Sequence, residues 1–239
     1  MSDKYTESDI HIKGGFWEKL DNFWFYYKLH IIVAVFVIFV LSVCFAQSCS
    51  KEKSDVTVLY SGPYLYSAVE LEGVREELNN VMPIDFDGNG SRYTEIVTYQ
   101  VMSEEQLVEY EALLKNDDPK STIDRSYFTS QTQTYNNFVL TGECGVFLID
   151  MHLYEKLVSL DKEHIILRPL SEVFADIPQS AVGNYGIKFS ETLLYKNSEY
   201  LSMLPEDTVL CLTQPFVMGK SGDAKLYNRM TQMFVAMSK

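Results

Sequence analysis

Residues Leu29 to Ala46 read LHIIVAVFVIFVLSVCFA: eighteen positions with one histidine and no formal charge. No other feature constrains the chain as strongly. In hydrocarbon every backbone polar group must find its partner within the segment, so such a run becomes a helix. At about 1.5 Å per residue it reaches roughly 27 Å, the thickness of a bilayer core. Two rivals use the same residues. A buried helix of a soluble protein would be expected to show a polar stripe, which is missing here. A cleaved signal peptide would have an apolar run of 7 to 15 residues and an earlier start.

The approach to the run supports a retained span. Phe16, Trp17, Leu20, Phe23, Trp24, Tyr26 and Tyr27 crowd it, and aromatic rings favour the headgroup level. Several fall on one side of a helix, with Glu18, Lys19, Asp21 and Asn22 on the other. The pattern predicts a cytoplasmic tail over 1–28 that ends in a short interfacial helix, then a span over 29–47. A polar tether over 48–54 and an α/β domain over 55–239 follow. Cys49 after Phe45-Ala46-Gln47-Ser48 offers a weak lipoprotein site, with Ala46 where a larger apolar residue is usual.

Lys13, Lys19 and Lys28 precede the span, and Lys51 and Lys53 follow it, a small bias toward an inside N-terminus. Charge beyond the span is more lopsided. The first 50 residues hold 4 of the 20 basic and 5 of the 33 acidic side chains, so residues 51–239 carry 16 and 28, a net of −12. Such a domain is repelled by an anionic leaflet and by nucleic acid, which places it outside the cell. The chain is expected to be a single-pass membrane protein with its C-terminal domain outside. Its large domain keeps Cys144 and Cys211, each in an apolar strand-like run. They are either two buried thiols or a disulfide.

Strand signals appear at Asp55–Tyr60, Tyr93–Met102, Cys144–Ile149, Ile165–Leu167, Tyr185–Phe189 and Thr208–Leu212. Helical spacing appears over Tyr64–Val81, from Ser103 onward, over Ile123–Leu140, over Met151–Leu160 and over Asp223–Met237. Ser103 with Gln106 makes a capping-box start. The alternation argues an α/β fold with a mixed sheet flanked by helices.

Chemistry-bearing motifs are few. Asp85-Phe86-Asp87-Gly88-Asn89-Gly90-Ser91 places oxygen donors and a glycine as the first seven positions of a calcium loop do. Asp85, Asp87, Asn89 and Ser91 are the candidate metal ligands, with Glu95 one position short of the closing glutamate. The alternative is a solvated Asx turn entering a strand. Tyr60, Ser61 and Tyr64 follow the first strand, and Asp150 ends the GVFLID strand. Both are at carboxyl ends, where α/β sheets place ligands. His152, two beyond Asp150, and His164 are the histidines of the domain. No HExxH, GxSxG, CxxC or phosphate loop occurs. The expectation is no enzyme and no cofactor, calcium apart.

YSGPYLYS after a first strand, DFDGNGS before TEIVTYQV, MSEEQL, and TGECGVFLIDMHLYEKL together resemble the outer domains of single-span membrane proteins of Gram-positive bacteria. The stretch 55–213 is also similar in layout to type 2 extracytoplasmic solute-binding proteins. In these a glycine-and-acid turn, here Gly142-Glu143, leads to an apolar strand ending in an acid, here Asp150. That resemblance implies a solute-binding-like fold, in whole or reduced form, and a membrane-anchored domain binding a small molecule or peptide at Tyr60, Ser61, Tyr64 and Asp150. The other expectation is an interaction module docking on a membrane or envelope protein complex. A cleft between two lobes favours the first, and one compact lobe with an exposed apolar patch favours the second.

Overall fold

The computed structural model describes residues 15–49, 54–117, 119–161, 165–215 and 222–239. His164, Lys13, Lys51 and Lys53 lie outside them, as do the side chains of residues 16–22 and 45–49. The chain divides into two units, residues 1–52 and 53–239.

Helix α1 (Phe16–Cys49) runs unbroken for 34 residues. The expected boundary between an interfacial helix and a span near residue 28 is absent, because nothing between Phe23 and Leu29 breaks helical hydrogen bonding: no proline, no glycine, no N-cap residue. α1 carries through Cys49, so residues 48 and 49 of the expected tether belong to the helix, and residues 50–53 lie outside the described residues. Phe23–Cys44 is long and apolar enough to cross a membrane, a property that signal sequences share.

The second unit is an α/β domain built on one six-stranded mixed sheet of order β2-β1-β3-β6-β5-β4. Its strands are β1 (Val56–Gly62), β2 (Thr94–Gln100), β3 (Val146–Ile149), β4 (Ala181–Val182), β5 (Gly186–Lys188) and β6 (Val209–Leu212). β1 lies parallel to both β2 and β3, and β6 turns antiparallel against β3. β1 and β3 are buried along their whole length, as their apolar runs require of strands flanked on both sides.

Side chains alternate between two cores. Val56, Val58, Val146, Leu148, Leu210 and Leu212 face one side, with helices α2 (Ala68–Val81) and α7 (Ala224–Met237). Leu59, Phe147, Ile149, Val209 and Cys211 face the other, with α4 (Arg125–Thr141) and α5 (Met151–Leu160). The remaining helices are α3 (Glu104–Asp117) and the short α6 (Leu193–Asn197).

Most elements fall where the residue pattern placed them. Ile165–Leu167 does not form a strand: only Leu167 bridges Thr213. The first helix starts at Ala68 instead of Tyr64, because Ser67 and Glu70 form a capping box there. Among the described residues of the second unit there is one sheet and no second lobe. Cys144 and Cys211 are both buried and are not bridged to each other. Cys144 Sγ points at the carbonyl of Thr57, 2.9 Å away, and burial pushes the Cys211 thiol up.

Candidate functional site

β1 leads through α2 to β2 on one side, and β2 leads back through α3 and α4 to β3 on the other side. Successive connections therefore leave β1 and β3 in opposite directions, the switch point at which open α/β sheets hold ligands. Three helices start along this carboxyl edge, and each N-terminus is closed by its own chain. Ser67 caps α2, Ser103 exchanges hydrogen bonds with Gln106 at α3, and Asp150 caps α5 through the His152 amide.

The residues expected to bind a ligand meet here, but mostly as a floor. Tyr60 is 2% exposed, and its hydroxyl accepts from the Tyr64 amide at 3.1 Å. Ser61 is fully buried and donates to the Tyr99 carbonyl. Asp150, 2% exposed, accepts from Gln106 Nε2 at 2.9 Å and lies 2.5 Å from His152 Nδ1. Gly62 separates these groups: a Cβ there would meet the Tyr60 hydroxyl at 2.8 Å and Asp150 Cβ at 3.4 Å. Any side chain at 62 would push the floor apart.

Tyr64 alone of the four reaches the surface, where its hydroxyl bonds Glu70 and touches Met203 sulfur at 3.5 Å. The rim adds His152, which follows Asp150 at the strand end where α/β sheets place ligands, and two residues that the sequence does not mark for this edge. Gln106 is legible as a capping residue, but its second bond, to Asp150, depends on the pairing of distant strands. Asp207, just before β6, comes to the edge because β6 runs antiparallel to β3.

The electrostatics follow from burial and charge. Burial drives the Tyr60 and Tyr66 hydroxyls up. At Asp150 burial works upward too, but hydrogen bonds from His152 and Gln106 outweigh it and hold the carboxyl below its ordinary range. Asp207 moves the opposite way, raised by desolvation and by the Asp150 charge.

The expected calcium ligands sit away from this edge, near the start of β1. The turn is closed by its own groups. Asp85 accepts from Gly88 and Gly90 amides at 2.8 and 2.7 Å, Asp87 holds Asn89, and Asn89 Oδ1 holds Ser91. Glu95 does not join them. It points along β2, where its carboxylate accepts from Ser54 and Thr57.

The acid that does join Asp85 and Asp87 is Asp55, with ligand atoms of the three within 4.8 Å of one another. Asp55 is fully buried and accepts the amides of Phe86, Asp87 and Tyr93, with Arg229 at 3.9 Å. Three N–H donors and a guanidinium already compensate its charge, the work a cation would do in a calcium loop. The donor set does not fit that loop: Glu95 is elsewhere, and Asn89 and Ser91 bond each other.

No protein-family profile, curated protein or solved structure matches the chain significantly.

Proposed function

We propose that the chain is a membrane-anchored, non-catalytic docking domain, held outside the cell by α1, that engages a membrane or envelope protein through the rim of its carboxyl edge. One observation carries this reading. The polar groups of the edge are taken up by their own chain, while apolar side chains beside it are not. Leu65, three residues before α2, and Val69, in its first turn, are 59% and 75% exposed next to the Tyr64–Met203 contact. Across the edge, α3 buries Leu107 but leaves Val108 and Leu113 on the surface. Exposed apolar side chains rimmed by polar ones suit a protein surface better than a solute. The fold class is consistent with solute-binding-like ancestry, and the closed floor is consistent with loss of solute capture.

A second reading, capture of a small molecule or peptide, draws on the switch point itself and on the polar rim of Tyr64, Gln106, His152 and Asp207.

Photo-crosslinking in the native membrane separates the two. A crosslinking residue at Val69 is expected to trap one discrete protein that the same residue at Ile177, 51% exposed, does not trap. The Leu65→Asp variant abolishes that product. Equal labelling from both positions contradicts docking. A ligand-dependent rise in melting temperature that disappears in His152→Ala favours capture instead.

A further inference from the structure

From the turn at 85–91 we infer that Asn89–Gly90 is a self-modifying site, at which the chain converts Asn89 to aspartate or isoaspartate without an enzyme. The reaction needs a backbone nitrogen free of a side chain, a group to take its proton, donors for the charge on the amide oxygen and a departing amine. The turn supplies each.

Gly90 is the nucleophile. It has a φ of 92°, and the space its Cβ would occupy holds nothing within 4 Å. Its N–H points at Asp85 Oδ2, 2.7 Å away. Asn89 Oδ1 is met by two donors, the Ser91 amide at 2.7 Å and the Ser91 hydroxyl at 2.8 Å. Asn89 Nδ2, the nitrogen that departs, is held 3.0 Å from Asp87 Oδ2.

The Gly90 amide passes its proton to Asp85 as its nitrogen bonds Asn89 Cγ. Negative charge collects on Oδ1 between the two Ser91 donors. Collapse of that oxyanion breaks the Cγ–Nδ2 bond, and the nitrogen leaves as ammonia with the proton from Asp85. Solvent water then opens the cyclic imide at either carbonyl. The product replaces an amide with a carboxylate, removes the donor to Asp87 and sets a further negative charge beside Asp85 and Asp87. The turn held by Asp55 loosens as a result.

The test follows purified full-length protein in detergent at neutral pH and physiological temperature, by peptide mass and isoaspartate methylation. Each event adds about one dalton. Asn89 is expected to convert faster than the exposed Asn184 and Asn197, which precede Tyr185 and Ser198. Asp85→Asn slows conversion about tenfold through loss of the proton acceptor. Ser91→Ala keeps the Asp85 contacts, removes one of two oxyanion donors, and slows it about threefold. Conversion no faster than at Asn184 and Asn197 overturns the inference. So does acceleration in both variants, which would show that these contacts guard the amide.

Discussion

Helix α1 and strand β3 are made of the same kinds of residue and meet opposite fates. Phe36, Ile38 and Phe39 of α1 are 63 to 64% exposed, and Phe147 and Leu148 of β3 are 1 and 2% exposed. β3 reaches burial because β1 and β6 pair with its two edges and helices cover both faces. α1 satisfies its backbone internally and has no side chain buried across its apolar window. Apolar surface gains about 25 cal/mol per Å² on leaving water, whether protein or lipid replaces it. The strand collects that gain from its own domain, and α1 collects none of it within the described residues. Sequence length distinguishes the two before any fold is known: four apolar residues bounded by Gly145 and Asp150 suit a core strand, and eighteen are enough for a helix that could cross a membrane.

The contrast can be broken from either side. The largest effect is expected in the strand. Phe147→Ala should destabilise the domain by about 3–5 kcal/mol, read by denaturant unfolding, because a fully enclosed ring leaves a cavity. A loss below about 1 kcal/mol would mean that the two faces of the sheet are not packed as described. In α1 the comparable change is Ile38→Arg, which adds about 2.5–3.5 kcal/mol to insertion at mid-span. It should lower the membrane-bound fraction and leave the melting curve of the folded domain unchanged. A mutation that unfolds the domain instead would tie α1 to its core.

Next comes Asp55→Ala. It strands three backbone donors and Arg229, and should cost about 2–3 kcal/mol. Calcium at millimolar concentration is not expected to restore the loss or to raise the melting temperature of the parent protein. A calcium-dependent rise would make the turn a metal site after all.

The smallest effects are expected from pH. Buried tyrosines stay protonated in the fold above the ordinary value of 10.0, Tyr154 up to about 12. The unfolded chain then binds fewer protons than the folded one, so stability should fall as pH rises beyond 10. Asp150 has the opposite sign. Its folded value lies below 3.8, so its contribution is present above that pH and lost as pH falls through the lowered value. Replacing it by Asn should flatten the acid limb of the stability profile only.

Fold class was legible because period and length carry it: alternating residues in β1, an unbroken apolar run in β3, and helical spacing with a cap at Ser103. The short strand β4 was not, since Ala181–Val182 is held by its pairing with β5 and not by its own residues. The candidate site was half legible. Carboxyl ends of strands identify Tyr60 and Asp150, but whether such groups face solvent depends on partners far along the chain. Gln106 reaches Asp150 across 44 positions. Asp55 shows the same limit. As the residue just before β1 it carries no motif, and its burial depends on Phe86, Asp87, Tyr93 and Arg229 being folded around it.

The docking role proposed for the domain depends on α1 holding it at a membrane. Alkaline carbonate extraction of native membranes, paired with protease added to intact cells, tests that directly. Full-length chain should remain in the pellet, and external protease should remove residues 53–239 while sparing the N-terminal tail. Release of intact chain into the supernatant, or a domain that protease reaches only after lysis, would contradict the account.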